Sequence, residues 1–167
     1  MKLQVDEALL DAVLHGTGRG LEMTGLQPPA VGASNLFSAD RSLAVMVGLV
    51  GRDSGTLTLN VSERAMLVLS GKLLGDDGQK EINDDNIDAI MEIGNMIAGC
   101  AKDRLLEHGY EVQAISVPSL IFGASYDVYY ARGIRTVSVQ FELPAMPVAF
   151  HRDRIFSTTL SLLRRLA

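Results

Sequence analysis

The sequence predicts an α+β protein in which the first and central helices pack together on one side of a mixed or mainly antiparallel sheet. Three observations point there. The stretch from Asn83 to Gly109 repeats apolar or small residues at helical period. A first helix spans about Val5 to Met23. Each of these two helices is followed by a set of short extended runs.

In chain order, the first helix turns Val5, Leu9, Val13 and Leu14 inward, with Gly16, Gly18 and Gly20 weakening its second half, and Gln27-Pro28-Pro29 ends it. Extended runs follow at Ala30 to Phe37, Ser42 to Gly51 and Gly55 to Val61. The second alternates poorly, as a strand buried on both faces does, whereas Thr56, Thr58 and Asn60 alternate with Leu57, Leu59 and Val61 as in a half-exposed strand. Ser62 caps a second helix that runs to Leu74, buries Ala65, Met66, Leu69 and Leu73, and stops at Gly75. After the central helix come strands near Glu111 to Val117, Tyr126 to Tyr130, Arg135 to Leu143 and Pro147 to His151. The chain then closes on an added C-terminal helix, Arg154 to Leu166, with Ile155, Leu160, Leu162, Leu163 and Leu166 available for packing.

The central helix is signposted at both ends. Asn83 serves as N-cap, Asp84 and Asp85 place negative charge in the first turn, and Ile82 with Ile87 forms a hydrophobic staple. His108 and Gly109 mark the stop. Its core stripe is Ile87, Ile90, Met91, Gly94, Ile97, Ala98, Ala101 and Leu105. At about 100° per residue, Glu92 and Asn95 sit roughly 60° apart and roughly 130° from the middle of that stripe, facing solvent with Asp88 one turn earlier.

Composition bounds the function. A chain of 167 residues, 47% hydrophobic, makes one packed domain over 1–167 and leaves no room for two. A net charge of -5 without a basic run argues against nucleic acid. No segment approaches the roughly 20 apolar residues of a membrane span, and the first residues lack a signal-peptide run, so a soluble cytoplasmic protein is expected. Cys100 is the single cysteine. His15, His108 and His151 have no metal-ligand spacing with it or with one another, so no metal site is expected. Phosphate-loop and nucleophile-elbow motifs are absent. The basic end formed by Arg152, Arg154, Arg164 and Arg165 reads as a solvated face.

A faint internal echo links Leu10-Asp11-Ala12-Val13 to Ile87-Asp88-Ala89-Ile90. On that alignment His15 and Gly18 stand in the places of Glu92 and Asn95, and the first copy lacks the pair.

A bare Glu-x-x-Asn is common by chance. Here it sits in a longer pattern: Asp88, Glu92, Asn95 and Pro118 fit D/S-x3-E-x2-N-x22-P. That spacing, with Glu92-Ile93-Gly94-Asn95-Met96-Ile97-Ala98-Gly99, Leu73-Leu74-Gly75, His108-Gly109-Tyr110 and Gly123 around it, resembles the CheC/CheX/FliY chemotaxis phosphatases. Having one motif in place of two points to CheX. The resemblance implies a pseudo-twofold domain that pairs through its sheet into a homodimer, although Pro144 and Pro147 restrict the strands available for such pairing.

It also implies a reaction: hydrolysis of the phosphoaspartate of a CheY-like response regulator, in chemotaxis or a related two-component pathway. Such a regulator carries its own Mg²⁺, so no cofactor is expected in this chain. Asn95 is then the residue that positions water, and Glu92 the one that engages the regulator's active-site lysine. Asp88, Met96 and Gly99 support the site or touch the partner, and Pro118 shapes the adjacent loop. The alternative is a non-catalytic module of the same fold that docks a regulator or a flagellar-switch component.

Overall fold

The computed structural model describes residues 5–37, 40–123 and 126–165. In order, the elements are α1 (Glu7–Gly20), β1 (Ala30–Ser34), β2 (Leu43–Gly51), β3 (Ser54–Val61), α2 (Glu63–Leu74), α3 (Asp84–Glu107), β4 (Val112–Ile115), β5 (Ser119–Phe122), β6 (Arg135–Glu142) and β7 (Ile155–Leu163). The strands form one sheet in the order β1-β6-β7-β3-β2-β4, with β5 also pairing β2. Every pairing among the described strands is antiparallel.

The helix ends follow from local chemistry. Asp6 accepts from the Leu9 N–H at 3.2 Å, and Ser62 accepts from Ala65 N–H at 3.1 Å. At α3, Asn83 and Asn86 exchange side-chain and backbone bonds of 3.0 and 3.1 Å, a reciprocal cap. Gly75 and Gly109 end α2 and α3 with φ of +72 and +76, which glycine adopts without a Cβ clash.

The sheet has the topology of two interleaved halves. The β2-β3 hairpin, flanked by β4 and β5, answers the β6-β7 hairpin, flanked by β1, and β3 meets β7 at the middle. α1 packs over β6 and β7, α3 over β2 and β4, and the two helices lie against each other on one face. Their crossing is close because Gly16 and Gly20 of α1 leave no side chain there: a Cβ on Gly20 would fall 2.6 Å from Ile97 Cα, and one on Gly16 would fall 2.7 Å from Ala101 Cβ. The buried positions of α1 match buried positions of α3 both at the offset that sets His15 and Gly18 opposite Glu92 and Asn95 and at an offset one helical turn away.

Three sequence expectations are corrected. The segment predicted as a C-terminal helix from Arg154 is strand β7; Leu166 lies outside the described residues. Phe156, Leu160 and Leu162 join the core, and Thr158 accepts from the Thr17 hydroxyl of α1 at 3.0 Å. Ser157, Thr159 and Ser161 alternate onto the other face, where Thr159 donates to Ser138 at 2.9 Å. The period is two, and the β-branched pair at Thr158 and Thr159 fits it.

Tyr126 to Tyr130 is not a strand. Tyr126 OH accepts from Asn60 Nδ2 at 2.8 Å, Tyr130 OH lies 3.3 Å from Thr56 Oγ1, and both rings meet Phe37 edge-on. The strand in this region is β5, just upstream. Pro147 to His151 holds a 3-10 turn, Val148–Phe150, instead of a strand.

Candidate functional site

α3 passes over β2 with Gly94 turned to the sheet, where a Cβ would fall 2.5 Å from Val45 Cγ1. Ile97 and Ala101 turn to α1. At about 100° per residue, Asn95, Asp88, Gly99 and Glu92 lie roughly 100° to 160° round from Gly94, on the side away from α1. Asp88 and Glu92 are exposed, while Asn95 and Gly99 are half-exposed. The side chains of Asp88, Glu92 and Asn95 have no hydrogen-bond or ion-pair partner among the described residues. Gly99 opens the row further, since a Cβ there would meet nothing within 4 Å.

An unpartnered carboxylate and carboxamide one turn apart are free to bond to something outside the chain. The carboxamide offers two donors and an acceptor; the carboxylate offers acceptors only. Met96 is half-buried and packs against the core beside this row.

Pro118, half-buried, stands in the short irregular link where the edge strand passes from β4 to β5, both paired to β2. Leu120 of β5 pairs with Val45, the residue beneath Gly94. Strands advance about 3.3 Å per residue and helices about 1.5 Å. Pro118 is thus level with Ala98 and Gly99, and Phe122 level with Ala89 and Ile90. The structure brings Asp88, Glu92, Asn95 and Gly99 onto one face and sets Pro118 at the sheet edge alongside them.

The remaining candidates are accounted for by packing. Burial pushes the half-buried Cys100 thiol up, away from the reactive thiolate. Among the described residues no group of His, Cys, Asp and Glu is placed to hold a metal ion, and no helix is long and apolar enough to cross a membrane. The basic residues of the C-terminal end are dispersed: Arg154 pairs with Glu142, while Arg164 covers the Tyr110 ring and donates to the Gly109 carbonyl at the end of α3. Sequence reasoning missed the role of Gly16 and Gly20, although their four-residue spacing on one helix face was the available sign.

Two helices crossed on one face of an antiparallel sheet of interleaved halves, one of them carrying a bare Glu-x-x-Asn row, define a CheC/CheX-type domain. The family described as chemotaxis phosphatase CheX matches residues 43–142, more than half of the sequence, and the chain belongs to that family. Solved structures share the fold. A CheC-like superfamily protein from Shewanella sp. PV-4 has a TM-score of 0.77 at 17% identity, covering 95% of this chain and 99% of that one. A putative chemotaxis protein from Desulfovibrio vulgaris Hildenborough has a TM-score of 0.76 at 21% identity, again over 95% and 99%. A chain of the CheX-CheY-BeF3-Mg²⁺ complex from Borrelia burgdorferi has a TM-score of 0.70 at 20% identity, over 97% and 99%. No curated protein matches the sequence.

Proposed function

We propose that this chain hydrolyses the phosphoaspartate of a CheY-like response regulator, with Asn95 positioning the attacking water and Glu92 engaging the regulator's active site. The observation that carries this reading is the row itself: Glu92 and Asn95 stand one turn apart on α3, accessible and without partners among the described residues. The solved CheX-CheY-BeF3-Mg²⁺ complex, one chain of which has this fold, supports the choice of partner.

In the reaction, water oxygen bonds to phosphorus as the bond from phosphorus to the aspartate oxygen breaks, giving inorganic phosphate and a free carboxylate. An acyl phosphate already has a good leaving group, and the regulator's Mg²⁺ and lysine offset the charge on the phosphoryl oxygens. What remains is alignment. The Asn95 carboxamide can accept from the water and donate to a phosphoryl oxygen, holding the water in line and lowering the entropic part of the barrier. Glu92, as an anion, pairs with the regulator's lysine and fixes the complex. Asp88 extends the same negative face, and Gly99 lets the partner backbone approach.

The test is phosphate release from a phosphorylated regulator of the same genome, with and without this protein. Stimulated release is expected. Glu92→Ala lowers both the maximal rate and the affinity, because it removes the anchoring charge. A protein that binds the regulator and leaves its phosphate lifetime unchanged contradicts the proposal and leaves the docking-module reading.

A further inference from the structure

The sheet edge beside the catalytic row carries two exposed apolar side chains that folding of this chain does not bury. Leu120 packs against the core beneath α3. Residues two apart on a strand emerge on the same face, so Phe122 also projects to the helix side. There it is 58% exposed, level with the turn between Asp88 and Glu92, and Val117, two residues before β5, is 85% exposed, level with Cys100 and Ala101.

The edge that holds them is stiff. The Ser116 N–H donates to the Gly48 carbonyl at 2.8 Å, and Ser116 Oγ accepts from the Gly48 N–H at 2.8 Å and donates to the Val117 carbonyl at 3.0 Å. Pro118 then fixes the next φ. Side chains held this way lose little conformational freedom when they are covered.

We infer that Val117 and Phe122 are the apolar anchors on which the phosphorylated regulator docks, and that they help set which regulator is served. The inference rests on the phosphatase reading, because it is the approach to Asn95 that covers them. They lie within about 10 Å of the level of Asn95 on either side, by the strand rise. A partner patch of ordinary size covers about 800 Å² on each protein, a disc reaching farther than that from its centre. Any protein that places a phosphoaspartate at Asn95 therefore sits on this edge, and the complementary partner surface is apolar beside its phosphorylation site.

The experiment measures stimulated phosphate release against the concentration of a regulator phosphorylated with a small acyl phosphate, for Phe122→Glu, Val117→Glu, Phe122→Leu and Asn95→Ala, with assembly mass followed by light scattering. Phe122→Glu is expected to raise KM about tenfold or more at unchanged kcat, Val117→Glu to act in the same direction, and Phe122→Leu to restore most of the affinity. Asn95→Ala shows the opposite split, with kcat lost and KM kept. Unchanged KM in both glutamate variants beside an inactive Asn95→Ala protein overturns the docking role alone. A change of assembly mass in Phe122→Glu also overturns it, assigning the edge to a second copy of the chain. An Asn95→Ala protein that still stimulates release overturns the phosphatase reading itself.

Discussion

α1 and α3 occupy equivalent places in the two halves of the sheet, cross at a shared contact, and present different chemistry to the outside. On α3, Glu92 and Asn95 have no partner among the described residues. On α1, the Asp11 carboxylate is occupied: its Oδ2 is bonded by Arg104 Nε and His108 Nε2, both at 2.6 Å. Leu14, three residues on, is apolar and 39% exposed. The first helix ties its carboxylate to α3 as a brace, while the second leaves its polar row free. Fold symmetry therefore does not carry function with it; function lives in which side chains are left unpaired.

The comparison breaks most severely at the helix crossing. Gly20→Val puts side-chain atoms into the Ile97 backbone and is expected to destabilise the protein by about 3 kcal/mol or more, or to prevent folding, as measured by urea unfolding. Gly18 faces open space, and Gly18→Ala is expected to stabilise by roughly 0.5–1 kcal/mol through helix propensity. Equal effects at the two glycines would refute the close approach.

A smaller loss is expected at the start of α3. Asn86 is fully buried, completes the cap with Asn83, and also donates to Ser70 Oγ at 2.9 Å and to Gln79 Oε1. Asn86→Ala should cost about 1–3 kcal/mol in the same assay and fray the turn that carries Asp88. A neutral effect would mean that α3 is positioned by its core stripe alone.

The smallest effect is expected at the brace. Hydrogen bonds from Arg104 and then His108 hold the Asp11 carboxyl below the usual carboxylate range. A depressed folded-state pKa contributes stability above the unfolded value and loses it as pH falls through the folded one. Because the group is more than a third exposed, Asp11→Asn should lower Tm by only about 1–2 °C at neutral pH, with the difference vanishing under acid. A difference that grows as the pH falls would give the brace the wrong sign.

Much of α2 and α3 was legible in the sequence: Ser62 and Gly75, Asn83 and Gly109 announce their ends through local chemistry, and a single amphipathic helix fixes its own outward face. What escaped depends on distant partners. Leu160, Leu163 and Leu166 fit a helical spacing as well as a strand, and only pairing with β3 and β6 selects the period of two seen in β7. Tyr126 and Tyr130 have strand propensity, yet their hydroxyls are held by β3 side chains, a tertiary choice that propensity cannot express. The open face of Asp88, Glu92 and Asn95 was readable because exposure on a helix follows from angle alone.

The most direct test follows a single turnover of the phosphorylated regulator at saturating protein, wild type against Asn95→Ala, with binding to the beryllofluoride-loaded regulator measured in parallel. Alignment of water by the α3 carboxamide predicts that Asn95→Ala slows release by about 10²-fold or down to the regulator's own rate, with affinity held within about twofold. Release at the wild-type rate from the Asn95→Ala complex would contradict it.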